Sequence, residues 1–150
     1  MTIIYMETSS NLIIVDSSGL ISLIVESDSN HGAAVAIAND FVDSQSKALV
    51  PAEVFAETLN ILGKKFGHEY AAGTVQAVLE SSAFAVVPTS DVTRIDAVEQ
   101  FRMSPSGVSF TDCLVMKVAD EFGTKDVFGF DKQFEDAGYR PLKPSTKQAA

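Results

Sequence analysis

Apolar positions along the chain fall into short unbroken runs and longer stripes with a helical repeat, and the two kinds alternate. Leu12-Ile13-Ile14-Val15 is the clearest run, stopped by Asp16-Ser17-Ser18-Gly19. Four branched aliphatics bounded by turn formers predict a strand buried on both faces, as in the middle of a parallel sheet. Leu20, Ile21, Leu23, Ile24 and Val25 then predict a short buried helix ending near Ser27. From His31 to Ser46, Ala33, Ala34, Ile37, Ala38, Phe41 and Val42 form a helical stripe with Asp40 and Asp43 off it. Leu49-Val50-Pro51 predicts a minimal second strand, because proline is tolerated at a strand end but not in its interior.

The alternation continues to the end of the chain. Helices are predicted from Glu53 to Phe66, with Val54, Leu59, Ile61 and Leu62 as core residues, and from His68 to Ser81. Ala83 to Pro88 reads as the third strand and Thr93 to Met103 as a helix broken by Pro105 and Gly107. Phe110 to Phe122 is apolar around most of its circumference, which predicts an enclosed helix, ended by Gly123. Asp126 to Phe130 is the fourth predicted strand, Lys132 to Ala137 a helical turn or two, and Tyr139 to Leu142 a last edge strand. Strands alternating with helices predict an α/β domain with a central, mostly parallel sheet of four or five strands flanked by α-helices. Residues 1–10 read as an N-terminal extension, 11–142 as the domain, and 143–150 as a flexible polar tail.

Composition narrows this picture. At 150 residues the chain fits one domain, large enough to bury about 70% of the surface its unfolded form exposes. A single cysteine, Cys113, gives no intramolecular disulfide framework and no cysteine-based zinc site. The N-terminus lacks the pattern of a signal peptide, and no apolar run approaches membrane-spanning length, so a soluble, cytoplasmic protein is expected. The net charge of -9 argues against a protein that grips nucleic acid by bulk positive potential. It does not argue against a nucleic-acid enzyme, since acids gathered around a cation are neutralised locally.

Four acids carry the candidate chemistry, and each also has a purely structural explanation. Asp16, directly after the first strand, equally reads as a helix cap. Glu57 reads as part of a solvated helix face, paired with Lys64 or Lys65. Ser109-Phe110-Thr111-Asp112 has the spacing of a capping box, and Asp131 precedes a helix. The shared placement favours chemistry. Asp16 and Asp131 end strands, Glu57 and Asp112 lie in the first turns of helices, and in a parallel sheet such positions face one edge. Carboxylates converging there repel by ~4 kcal/mol per pair at ~4 Å and an effective dielectric of ~20. Such a cluster needs a cation, and oxygen-only ligands suit Mg²⁺ or Mn²⁺ better than zinc. The matching chemistry is metal-assisted hydrolysis of a phosphodiester.

The order of these motifs resembles the PIN domain family, specifically the VapC-type ribonuclease toxins. The resemblance rests on Ile14-Val15-Asp16-Ser17-Ser18, on Val50-Pro51 with the helix carrying Glu57-Thr58-Leu59-Asn60, on Ser109 to Met116 around Asp112, and on Gly129-Phe130-Asp131-Lys132-Gln133-Phe134. It covers about residues 11 to 142 and implies a Mg²⁺-dependent endoribonuclease. It further implies a homodimer whose active site a small cognate antitoxin covers. Asp16, Glu57, Asp112 and Asp131 would be the catalytic, metal-site acids, with Asp131 the more peripheral. Ser17 would bond a carboxylate or phosphate. Lys132 directly follows Asp131 in the chain, so it would lie near the same site and could meet a phosphate there. The residues 1–10 extension and the acidic balance depart from the family pattern.

Other residues carry less. His31 and His68 stand at helix starts away from the acids, and Cys113 is followed by apolar residues, as a packing residue is. A phosphoacceptor signalling domain would need an acidic pair at the first strand, and a haloacid-dehalogenase-like phosphatase an acid at Ser18. No glycine-rich nucleotide loop is present. The remaining alternative is a catalytically silent PIN-like module for RNA binding or protein docking, which would be expected to have lost one or more of the acids.

Overall fold

The computed structural model describes residues 11–145; the 1–10 extension and residues 146–150 of the tail lie outside the described residues. At its centre is β1 (Leu12–Val15), flanked by β2 (Lys47–Pro51) and β4 (Asp126–Phe128), with β3 (Phe84–Val87) and β5 (Arg140–Pro141) at the edges. The order is β3-β2-β1-β4-β5, and every neighbouring pair is parallel. Ile13, Ile14 and Val15 are all buried, and successive strand residues point to opposite faces, so β1 is covered on both sides. That is what an unbroken aliphatic run requires.

Seven helices among the described residues provide the cover: α1 (Ser17–Ile24), α2 (His31–Asp43), α3 (Ala52–Phe66), α4 (His68–Glu80), α5 (Asp91–Met103), α6 (Phe110–Glu121) and α7 (Lys132–Asp136). Phe41 of α2 meets Phe84 and Phe128 edge-on, each with ring centroids 5.6 Å apart, and ties α2 across the sheet. A second apolar cluster, around Val25, Leu62, Ala71 and Val75, joins the end of α1 to α3 and α4. As its composition predicts, α6 is enclosed, burying Cys113 through Met116 together with Val118 and Ala119.

Several element boundaries differ from the sequence expectation by a few residues, and three of them have an evident local reason. α1 starts at Ser17, immediately after Asp16, because the Asp16 carboxylate caps it. α2 stops at Asp43: the Ser46 amide bonds the Phe41 carbonyl, and Gln45 turns the chain at a φ of 59°. β4 ends at Phe128 rather than Phe130, because the Phe130 amide donates to the Ser18 hydroxyl of α1. The chain therefore leaves the sheet at Gly129, and Asp131 is brought back over the end of β1.

Beyond β5, Ser145 bonds the Asp40 carboxylate of α2 through its amide and its hydroxyl. No helix among the described residues is long and apolar enough to cross a membrane.

Candidate active site

Strand register decides where the first acid stands. Val15 lies opposite Phe128, and the Asp16 amide donates to the Phe128 carbonyl at 3.0 Å, so Asp16 ends β1 beside the last residue of β4. Its Oδ2 accepts from the Ser18 amide at 3.1 Å and from the Ser18 hydroxyl at 2.6 Å. Ser18 Oγ in turn accepts from the Phe130 amide at 3.0 Å. One hydroxyl thus orients Asp16 and anchors the chain segment that carries Asp131. Gly129 is the adjoining requirement, because a Cβ there would come within 2.9 Å of the Asp16 Cβ.

The second acid belongs to a complete capping box. Ser109 Oγ accepts from the Asp112 amide at 3.1 Å, and Asp112 Oδ2 accepts from the Ser109 amide at 2.9 Å. The same Oδ2 accepts from Gln133 Nε2 at 2.8 Å. Asp131 occupies the N-cap position of α7 but makes no capping bond with its side chain, which stays half-buried. Asp16, Asp112 and Asp131 each offer a carboxylate oxygen such that all three lie within 4.8 Å of one another.

Burial and nearby charge raise the pKa of two members of this trio, Asp16 and Asp131. Burial pushes the Asp16 carboxyl up to about 7, against the opposing Ser18 bonds, and the charges of Asp131 and Asp112 add to the rise. Asp131 is raised too, first by burial and then by Asp112, with Glu57 adding a further push and a hydrogen bond with Asp16 opposing. Both shifts disfavour the charged carboxylates, an imbalance that a bound cation would relieve. Three hard oxygen donors, with Asp131 partly open to solvent, fit a divalent cation of the Mg²⁺ or Mn²⁺ kind that retains water in its shell.

The remaining candidates fall around this trio. Glu57, a turn and a half into α3, stands outside it, within electrostatic reach of Asp131 and accepting from Thr111 Oγ1 at 3.4 Å. Of the four acids, Glu57 is the one that stands outside this cluster, while Asp131, which the resemblance makes the more peripheral, falls within it. Ser17 is the first residue of α1, and the hydroxyl that engages Asp16 belongs to its neighbour Ser18. Lys132 is exposed and shares a shallow depression of about 240 Å³ with Gly129 and Asp131. Lys64 and Lys65 lie in the last turn of α3. His31 is taken up by the Ser22 carbonyl, and Cys113 is fully buried beside Ser104.

Gln133 and Gly129 were given no individual role by the sequence pattern. Gln133 lies two residues beyond Asp131, in a five-residue helix too short for periodicity to assign its face.

Residues 13–138 match the family model of the PIN domain. The chain belongs to the PIN domain family. No curated protein matches this PIN domain in sequence. Its fold is similar to the crystal structure of VapC20 from Mycobacterium tuberculosis, a toxin that cleaves the sarcin-ricin loop, with a TM-score of 0.74 and 24% identity over 88% of this chain and 99% of that one. The PIN domain here thus has a parallel sheet of five strands with flanking helices, where its sequence predicts four or five mostly parallel strands, and three of its four candidate acids are drawn together at one sheet edge.

Proposed function

We propose that this PIN domain is a divalent-metal-dependent endoribonuclease and the toxin of a type II toxin–antitoxin pair. The observation that carries the reading is the trio Asp16, Asp112 and Asp131, whose clustering is unfavourable without a cation. Asp16 and Asp112 hold Mg²⁺, or Mn²⁺ in its place, from buried and hydrogen-bonded positions, and Asp131 closes the site from the α7 side. A bound cation supplies Lewis acidity toward a phosphate oxygen and lowers the pKa of an attacking water.

The protein's own groups do the rest. The Ser18 and Gln133 bonds both fall on Oδ2 atoms, which leaves the Oδ1 atoms of Asp16 and Asp112 for the metal. Glu57, outside the trio, takes the proton of the attacking water. Lys132 meets the RNA phosphate nearest Asp131, with Lys64 and Lys65 as further contacts along α3. These few cations offset the net charge of -9 only locally, so RNA affinity depends on the metal as well.

A small antitoxin protein covers the acidic edge in the resting complex, and the toxin works as a cytoplasmic homodimer. Retention of all four acids weighs against a silent RNA-binding or docking module. Protein freed of antitoxin should cleave RNA when Mg²⁺ or Mn²⁺ is added and stop when EDTA is added. Its expression should arrest growth until the neighbouring open reading frame is co-expressed. Cleavage that persists in EDTA overturns the metal-dependent reading.

A further inference from the structure

The depression beside Asp131 is built on fixed supports. Phe130 lines it, half-buried, with its amide held by the Ser18 hydroxyl and its ring braced edge-on against the fully buried Phe128, centroids 6.3 Å apart. Pro141 and Leu142 line it from β5, which is tied down by bonds from the Arg140 amide to the Lys125 carbonyl and from the Leu142 amide to the Val127 carbonyl. Three apolar side chains thus adjoin a member of the acid trio and keep part of their surface open. A volume of about 240 Å³ is below the ~300–1,000 Å³ of a site for a drug-sized ligand, so the depression suits one planar group and no more.

Charge specifies the occupant. Lys132 and Lys143 border the depression, both exposed, and neither enters an ion pair among the described residues, whereas Arg94, Arg102, Lys117 and Arg140 are each paired with an acid. Two unpaired cations beside an aromatic ring, in a chain of net charge -9, suit a group that joins a flat face to a negative charge, as a nucleotide does. Glu135 also lines the depression, and its carboxylate only accepts hydrogen bonds. Guanine is the base that offers it two adjacent donors, N1–H and the N2 amino group. Adenine and cytosine set their amino group beside an acceptor, and uracil sets its N–H between two carbonyls.

We infer that this depression is the subsite for the nucleotide next to the cleaved bond, with its base stacked on Phe130, its phosphate on Lys143 and guanine selected by Glu135. Asp131 belongs both to the trio and to the lining, so a phosphate held at the trio delivers the neighbouring nucleotide here. The inference rests on the ribonuclease reading above and adds the place where RNA sequence is read.

A short single-stranded RNA with one mapped cut tests this on the intact, antitoxin-free chain in Mg²⁺, with the nucleotides flanking the cut made abasic one at a time. One abasic position should lower kcat/KM by about tenfold, or ~1.4 kcal/mol. Phe130→Leu, its fold verified by circular dichroism, should cut the complete RNA as slowly as the abasic one, with the abasic rate and the Mg²⁺ requirement unchanged, and Phe130→Tyr should keep the difference. With guanosine at that position, replacement by inosine, which lacks the N2 amino group, should cost about fivefold in the unaltered chain and nothing in Glu135→Ala. Lys143→Ala should raise KM for complete and abasic RNA alike and reduce its salt dependence.

Cleavage indifferent to an abasic residue on either side of the cut overturns the subsite. So does a Phe130→Leu loss matched by a higher Mg²⁺ requirement, which makes Phe130 a support for Asp131 alone. Guanosine and inosine cut alike overturn the role of Glu135. Variants that cleave normally but no longer bind antitoxin make the depression a protein contact and overturn it as a nucleotide site. Absence of cleavage of every RNA overturns the ribonuclease reading, and this inference with it.

Discussion

Ser18 and Gln133 are the residues on which the arrangement of the acids turns. Each donates one side-chain hydrogen bond to a buried carboxylate, 2.6 Å to Asp16 and 2.8 Å to Asp112. Partners of this kind orient metal ligands, and their removal typically costs about 10–100-fold in metal affinity or activity. Ser18→Ala and Gln133→Ala should therefore raise the Mg²⁺ concentration needed for half-maximal RNA cleavage by at least about tenfold, while Ser17→Ala leaves it unchanged. Equal effects of Ser17→Ala and Ser18→Ala would contradict the assignment.

Asp16 makes a second prediction at the same scale. Its carboxyl is raised from 3.8 to about 7, so the folded state binds this proton more tightly than the unfolded state does. The resulting stabilisation is complete below the unfolded pKa and is lost as pH rises through the folded one. In EDTA the melting temperature should be higher near pH ~5 than near pH ~8, and Mg²⁺ should raise it more at the higher pH, where the cation replaces the proton. Differential scanning calorimetry decides this; a melting temperature in EDTA that rises from pH ~5 to ~8 contradicts it.

Among the elements, α1 and the β4–α7 connection are fitted to each other with no room to spare. A Cβ on Gly19 would lie 2.2 Å from the Phe128 carbonyl oxygen, a backbone atom that cannot swing away. Gly19→Ala should destabilise the fold by roughly 3 kcal/mol or more, read as a lower urea midpoint. Gly129→Ala presses on Asp16 itself and should lower metal affinity more than stability.

Much at this scale was legible in the sequence. The capping box at Ser109 and Asp112 is present with both of its bonds, and Asp16 caps α1 through Ser18. The structural and chemical explanations of these acids were not rivals, since the same bonds that cap the helices hold the carboxylates in place. What the sequence could not indicate is long-range. That β4 stops at Phe128 follows from a hydrogen bond between residues 112 positions apart, and Gln133 meets Asp112 across 21 positions. Neither separation leaves a periodic signal in the chain.

For the whole molecule, topology explains why the four acids share a neighbourhood. A wholly parallel sheet sends the ends of β1 and β4 and the starts of α1 and α7 to one edge, and the capping box holds α6 with its Asp112 facing them. Glu57 follows from the same topology but sits deeper in α3, which places it beside the trio and not within it. The proposed division of labour is three acids for the cation and one for the proton. Glu57→Gln should therefore lower the rate of RNA cleavage with little change in Mg²⁺ affinity, whereas Asp112→Asn should weaken both.

The most direct measurement of the central claim is cleavage of a defined RNA by antitoxin-free protein in Mg²⁺, with Asp16→Ala run alongside and its fold verified by circular dichroism. The account predicts cleavage by the unaltered chain and a loss of at least about 1,000-fold in the folded variant, the equivalent of ~4 kcal/mol in the barrier. Undiminished cleavage by Asp16→Ala, or none by the unaltered chain with Mg²⁺ or Mn²⁺ present, contradicts it.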